Sequence, residues 1–240
     1  MKFTVIVPAR YASSRFPGKP LVDIEGKPMI VQVCDQAKKS GAAVHVATDD
    51  ERIAKAVRAA GYSAIMTRAD HLSGTDRIAE AAGKLKLKDN DVVVNVQGDE
   101  PRISPGLIKR VAGALVKSAE ASMSTACHTI HDPRQLDDPN VVKVVLDREG
   151  YAIYFSRSRI PYPREAGHPT YRHAGIYAYR VGFLRKYAKL RQSPLERTEA
   201  LEQLRVLWHG YRIAVAVEKG EAEPSVDTPQ DLIQLIKTNK

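Results

Sequence analysis

Apolar and polar positions follow two alternating rhythms along the first half of this chain. Residues 3–7 (Phe-Thr-Val-Ile-Val) form a short β-branched run closed by Pro8, the pattern of a buried strand. Met29, Ile30, Val33, Cys34 and Ala37 then recur at helical spacing, with Pro28 at the start and Gly41 past the end. The exchange repeats. Strands are predicted at 44–47, around 64–66 and at 92–96. Helices are carried by Ile53, Val57 and Ala60, by residues 75–82, and by Leu107, Ile108, Val111, Ala112 and Leu115 after Pro105. The run at 92–96 is the most uniformly apolar, as a central strand covered on both faces must be. Strands separated by helices predict an α/β fold built on a mostly parallel, doubly wound sheet.

After about residue 120 the rhythm changes. Runs at 123–130, 141–146 and 151–155 are strand-like with no long helix between them, and Asp147-Arg-Glu-Gly150 has the composition of a hairpin turn. A Pro-rich loop from Ile160 to Pro169 precedes another strand-like run at 174–179. Helical patterns return at 183–190 and 194–209, followed by a strand at 212–217 and a helix at 229–237. This reads as one α/β domain over residues 1–240 with a β-rich excursion at about 129–190, not as two independent domains.

Composition narrows the class. The 240 residues are 43% hydrophobic and 27% charged, which excludes a disordered, collagen-like or disulfide-scaffold protein. No apolar run approaches the roughly 18–20 residues that span a bilayer. The start of the chain, Met1-Lys2, a short apolar stretch and Pro8, is unlike a signal peptide. Cys34 and Cys127 lie in segments that read as buried, and no C-x-x-C pair exists, so a reduced, cytoplasmic setting is expected. The net charge of +9 admits nucleic acid, a membrane surface or a small anion as partner. With 6% aromatic residues and no recognisable DNA- or RNA-binding module, nucleic acid is disfavoured. Where the charge sits must decide the rest.

Arg10, Arg15 and Lys19 fall within ten residues directly after the first strand, among Gly, Pro and small residues. Ligands of open α/β sheets bind outside the carboxyl ends of strands. Arginines make forked contacts to phosphate oxygens and a lysine supplies a mobile point charge, so this loop suits a triphosphate. It matches neither the Walker nor the dinucleotide pattern; a solvated basic loop is the ordinary alternative. Asp99 follows the central strand, where a carboxylate could hold Mg²⁺ together with phosphate oxygens. In residues 226–231, Thr228 can serve as N-cap, Pro229 as N1 and Asp231 as N3, which leaves Asp227 outside the cap and able to face a metal. The alternatives are a turn acid before Pro101 and a favourable charge at a helix N-terminus. Ser73 to Asp76 is a helix start whose Ser73 and Gly74 could also meet a nucleotide. Arg157 could fork a carboxylate or be a surface arginine. His173 and Tyr177 share one face of a strand. On the 194–209 helix, Leu201, Leu204, Leu207 and Trp208 are expected in the core, with Glu202 and Gln203 at its boundary.

Six stretches carry a family resemblance. The opening P-A-R-Y-A-S-S-R-F-P-G-K-P-L, together with residues 71–77 (HLSGTDR), 95–101 (NVQGDEP), 151–157 (YAIYFSR) and 201–208 (LEQLRVLW), and then Val226-Asp-Thr-Pro229, resembles the CTP:3-deoxy-manno-octulosonate cytidylyltransferases, or CMP-KDO synthetases. The likeness is colinear over nearly the whole chain. It implies a nucleotide-diphospho-sugar transferase type of fold, and activation of KDO with CTP to CMP-KDO plus pyrophosphate for lipopolysaccharide biosynthesis. CMP-sugar synthetases for an 8-amino-KDO or a sialic acid are the alternatives. The resemblance also implies Mg²⁺ on Asp99 and Asp227, and Arg10, Arg15 and Lys19 on the triphosphate. Pro8, Ala9, Ser73 and Gly74 fall on the nucleotide side; Arg77, Gln97, Arg157, His173, Tyr177, Glu202 and Gln203 fall on the sugar side. The family usually has Gln where this chain has Leu72, and the segment 163–170 is shorter than in many relatives. The β-rich excursion implies a homodimer.

Overall fold

The structure is a computed structural model that describes every residue except 13–15, 72, 166, 221–223 and 238–240. In chain order the elements are β1 (Thr4–Ala9), β2 (Asp23–Ile24), β3 (Lys27–Pro28), α1 (Met29–Lys38), β4 (Ala43–Thr48), α2 (Glu51–Ala59), β5 (Ser63–Met66), α3 (Gly74–Lys84), β6 (Val92–Asn95) and α4 (Pro105–Lys117). They continue with β7 (Ala121–Thr129), β8 (Lys143–Leu146), β9 (Ala152–Ser156), β10 (Tyr171–Arg180), α5 (Val181–Tyr187), α6 (Pro194–Glu199), α7 (Gln203–Trp208), β11 (Arg212–Glu218) and α8 (Pro229–Lys237). Contacts divide the chain into two compact units, Met1–Lys109 with Glu223–Lys240, and Arg110–Ala222.

The first unit is the α/β part that the strand–helix rhythm predicts. Its strands lie in the order β6-β1-β4-β5, all parallel, with Val5 beside Val44 and Val94 in register. Val5, Ile6, Val7, Val93 and Val94 are fully buried, because helices cover a parallel sheet on both faces. The chain lays β4 and β5 on one side of β1 and then crosses to lay β6 on the other. That reversal makes the carboxyl ends of β1 and β6 a topological switch point, where an open α/β sheet has its ligand crevice. Gly98 lets those two ends close on each other: a Cβ there would stand 3.1 Å from the Pro8 carbonyl oxygen. A second contact core of Ile24, Met29, Val226 and Leu235, flanked by Phe16, Leu232 and Ile236, seats α8 against the segment that follows the first loop.

The second unit is mixed. β11 pairs with β7 in parallel, while β7–β10, β10–β8 and β8–β9 are antiparallel. The β8–β9 hairpin turns at Asp147–Gly150 as its sequence predicts, with Gly150 at φ 83° and its N–H donating to the Asp147 carbonyl. The stretch 129–190 lies inside this unit. Two readings are corrected here. The pattern at 194–209 is not one helix: α6 ends at Ala200, which takes the left-handed conformation (φ 52°), and α7 restarts at Gln203. The break turns the expected stripe, so Trp208 is 52% exposed while Gln203 and Val206 are buried.

Candidate active site

The site of the first unit is built on the switch point. β1 delivers Pro8 and Ala9, and Arg10 follows on the exposed side. The loop closes on itself where the Gly18 N–H donates to the Tyr11 carbonyl at 3.0 Å. Gly18 has φ 72°, and a Cβ there would stand 3.1 Å from the Tyr11 hydroxyl, so a side chain at 18 would be both strained and crowded. The Tyr11 ring also carries the Arg52 guanidinium, 3.4 Å from its centroid. A single 3₁₀ turn, Lys19–Leu21, follows. From it the Lys19 ammonium reaches across to the other loops: Nζ is 2.6 Å from Asp99 Oδ2 and 3.5 Å from Asp227 Oδ1. Arg15 and Leu72 lie outside the described residues.

Asp227 gets there through a cap. Thr228 Oγ1 accepts from the Asp231 N–H, and the Asp231 carboxylate accepts in return from the Thr228 and Asp227 N–H groups, as the sequence predicts. With Asp231 doing the capping, Asp227 turns to Lys19. The buried Val226 fixes the approach, its N–H donating to the Asp99 carbonyl at 2.9 Å. Asp99 and Asp227 therefore converge on one cation. Two carboxylates, completed by phosphate oxygens and water, are the donor set Mg²⁺ prefers, so these residues fit that metal. Among the described residues no group of three or more His, Cys, Asp or Glu could hold a metal.

Next to this pair, Glu100 has a buried Oε2 with no hydrogen-bond partner. Burial, reinforced by the negative charge of Asp99, pushes its carboxyl up to about 8. Glu100 is thus largely protonated at neutral pH.

The loop before α3 touches the same place, since a Cβ at Gly74 would pack 3.4 Å from the Pro8 ring. Ser73 Oγ caps α3, accepting from the Asp76 N–H at 3.1 Å and donating to its carboxylate at 2.9 Å. His71, just upstream, is pinned by Glu80. That carboxylate also accepts from the Arg68 N–H and from Lys84. Arg77 is only 4% exposed; its guanidinium donates to Thr67 Oγ1 at 2.7 Å and pairs with Asp49 at 3.0 Å. Its guanidinium is paired inside the first unit. Gln97 lies on the loop after β6, its carbonyl accepting from the Glu100 N–H.

The sugar-side candidates Arg157, His173, Tyr177, Glu202 and Gln203 fall in the second unit. His173 and Tyr177 do share a face, with ring centroids 5.5 Å apart, and Phe155 meets His173 edge-on at 4.9 Å. Thr125 Oγ1 lies 3.0 and 2.8 Å from the Ala174 and Ile176 carbonyls and 2.9 Å from His173 Nε2. One hydroxyl proton serves a carbonyl, so His173 Nε2–H is the donor to Thr125 and its Nδ1 is an acceptor. Burial drives the imidazole pKa down to about 3, so the ring stays neutral. Gln203 is buried with an unpartnered Nε2, and Glu202 stands at the N-cap position of α7 without a side-chain capping bond.

Arg157 is held on every side. Its Nε donates to the Glu199 carbonyl at 2.8 Å, and its terminal nitrogens reach the Pro139 and Ala200 carbonyls at 2.9 and 3.5 Å. The Glu199 carboxylate accepts from the Arg157 N–H and the Ser156 hydroxyl. The Arg157 carbonyl accepts from Lys143 at 2.5 Å, and the same ammonium donates to the Asp138 and Val141 carbonyls at 2.9 and 2.7 Å. Lys143 is completely buried, with its three donors on three carbonyls.

The cytidylyltransferase family profile matches residues 4–213. A solved CMP:2-keto-3-deoxy-manno-octonic acid synthetase, complexed with CTP, is 43% identical to this chain; the match covers 100% of this chain and 98% of that one, with a TM-score of 0.93. This chain belongs to the CMP-KDO synthetase family. A cytidylyltransferase from Leptospira borgpetersenii serovar Hardjo-bovis (strain JB197) is 16% identical over 100% of this chain and 95% of its own, with a TM-score of 0.60, and shares the fold.

As a member of the CMP-KDO synthetase family, this chain also uses residues that sequence reasoning passed over. Lys143 and Glu199 organise Arg157, Thr125 sets the His173 tautomer, and Glu80 anchors His71. One of them left a trace in the sequence. Lys143 is a lone cation inside the apolar run 141–146, where a charge needs an internal partner.

Proposed function

We propose that this cytidylyltransferase couples CTP to 3-deoxy-D-manno-octulosonate, releasing pyrophosphate and forming CMP-KDO for lipopolysaccharide biosynthesis. The observation that carries the reading is the convergence of Lys19, Asp99 and Asp227 at the β1/β6 switch point. It occurs in a chain 43% identical, end to end, to a CMP-KDO synthetase. The anomeric 2-hydroxyl oxygen attacks the α-phosphorus in line. The bond from that phosphorus to the bridging oxygen breaks, its electron pair leaves with pyrophosphate, and the hydroxyl proton passes to water. Mg²⁺ on Asp99 and Asp227 would neutralise charge on the phosphates.

The chain's own contribution is positioning and charge. Arg10, Arg15 and Lys19 take the triphosphate, and Pro8, Ala9, Ser73 and Gly74 line the nucleoside side. On the acceptor side, Arg157 spends three of its five N–H donors on carbonyls, and the remaining two are what a substrate carboxylate would take. His173, neutral and with Nδ1 as acceptor, receives a sugar hydroxyl rather than acting as a base. Tyr177, Gln97, Glu202 and Gln203 complete the sugar contacts. The enzyme works in the cytoplasm as a homodimer. Pyrophosphate release from CTP, measured with KDO, 8-amino-KDO and a sialic acid, with and without Mg²⁺, tests the reading. Turnover strongest with KDO and dependent on Mg²⁺ is expected. Release with the sialic acid alone would overturn the substrate, and metal-independent turnover would overturn the role of the two aspartates.

A further inference from the structure

The cation between Asp99 and Asp227 is the chain's own. Lys19 Nζ stands 2.6 Å from one carboxylate and 3.5 Å from the other, with its side chain only 13% exposed against 26% for Asp99 and 39% for Asp227. Several features make this pairing consequential. The carboxylates come from separate loops, and they are held in place by backbone geometry rather than by the lysine: Val226 N–H on the Asp99 carbonyl, and the Thr228–Asp231 cap behind Asp227. They would therefore stay together if Lys19 left. The lysine, by contrast, has a flexible four-carbon stem, and its ammonium is a point charge without a fixed fork. The Lys19 backbone is anchored independently by the 3₁₀ turn and the Gly18–Tyr11 closure. Only the side chain has to move.

The geometry points to Lys19 as an exchangeable internal counter-cation whose departure admits the divalent metal to the Asp99–Asp227 pair. This rests on the metal reading given above. An ammonium and a divalent ion drawing on the same carboxylate oxygens repel each other, so the two states exclude one another. Lys19 holds the pair neutral enough to stay assembled when no metal is bound. Once displaced, it is a cation on the first loop with no carboxylate partner, and the nearest anion of the reaction is the triphosphate. Nucleotide phosphates draw Lys19 off the carboxylates and so favour metal there. By reciprocity, metal at the carboxylates frees Lys19 and tightens the nucleotide. A residue expected simply to bind phosphate thus also gates metal entry and makes the two ligands cooperative.

The test is Mn²⁺ binding to the nucleotide-free full chain, followed by the electron paramagnetic resonance signal of the free ion. Wild type is compared with Lys19→Met and with Lys19→Gln, and each of the three is measured both with Asp227 intact and with Asp227→Asn. Lys19→Gln keeps a neutral hydrogen bond between the carboxylates and serves if Lys19→Met fails to fold. Removal of the competing charge is expected to tighten Mn²⁺ at least tenfold, and Asp227→Asn is expected to abolish the gain. CTP should tighten Mn²⁺ on the wild type and lose that effect in both lysine variants. Unchanged or weaker Mn²⁺ binding without the lysine charge, with Asp227→Asn still weakening the ion, would overturn the exchange while leaving the metal site standing. Indifference to Asp227→Asn in every background would overturn the metal reading and the exchange with it.

Discussion

Replacing Lys143 with Met would test whether the buried ammonium orders the acceptor side. The substitution keeps the stem and removes the charge, leaving the carbonyls of Asp138, Val141 and Arg157 facing an apolar group. An unsatisfied buried carbonyl costs about 1–3 kcal/mol, so three give a ceiling of roughly 9 kcal/mol. Against this stands the several kcal/mol no longer spent on keeping an ammonium out of water; burial lowers the lysine pKa in agreement with that cost. A net loss of about 2–4 kcal/mol is expected. Urea unfolding measures it, and hydrogen exchange read by mass spectrometry should place the loosening within Arg110–Ala222. Kinetics supply the readout that loss of stability alone would not move. The segment 138–141 and Arg157 should lose their alignment, raising KM for the sugar acid about tenfold while KM for CTP changes less than twofold. A loss under about 1 kcal/mol, or equal changes in both KM values, would refute the reasoning.

Other perturbations probe the nucleotide side. Glu80 is pushed up by burial, but hydrogen bonds from Lys84, the Arg68 N–H and His71 outweigh that and bring it from 4.5 to about 2. A carboxylate with a lowered folded pKa stabilises above pH 4.5 and loses that contribution as pH falls toward 2. The ceiling is about 3 kcal/mol, reduced by its 19% exposure. Urea unfolding of Glu80→Gln and wild type should therefore differ most at pH 7 and converge only as pH approaches 2. In Gly98→Ala the new methyl meets the Pro8 carbonyl oxygen at 3.1 Å; a loss of about 1–3 kcal/mol and weaker CTP binding by calorimetry are expected. Asp227→Asn should cut turnover at least a hundredfold with an unchanged circular dichroism spectrum and melting point, because Asp231, not Asp227, caps α8.

Local chemistry was legible in the sequence and long-range pairing was not. The β-branched runs gave β1 and β6, the caps at Ser73 and Thr228 gave the starts of α3 and α8, and the 147–150 turn gave the β8–β9 hairpin. Each depends on neighbours a few residues apart. The motifs also named Lys19 and Asp99, but only folding brings these two, 80 residues apart, to 2.6 Å. The pairing of Arg77 was not legible, because its partner, Asp49, lies 28 residues upstream. The break at Ala200 escaped because apolar spacing at 201, 204 and 207 continues through it, while the left-handed residue that ends α6 is an alanine, not the glycine that usually signals such a stop.

The docking of Val226 on the Asp99 carbonyl also has a meaning in time. A ribosome releases Lys19 and Asp99 early, and the whole second unit must be synthesised before Val226 and Asp227 emerge. Until then Asp99 faces Lys19 without its second carboxylate partner. A growing or truncated chain that stops short of Val226 lacks half of the proposed metal pair, together with Val226 and Leu235 of the core beneath α8. On the proposed reading, the metal pair is therefore completed only after the whole of the second unit has been made.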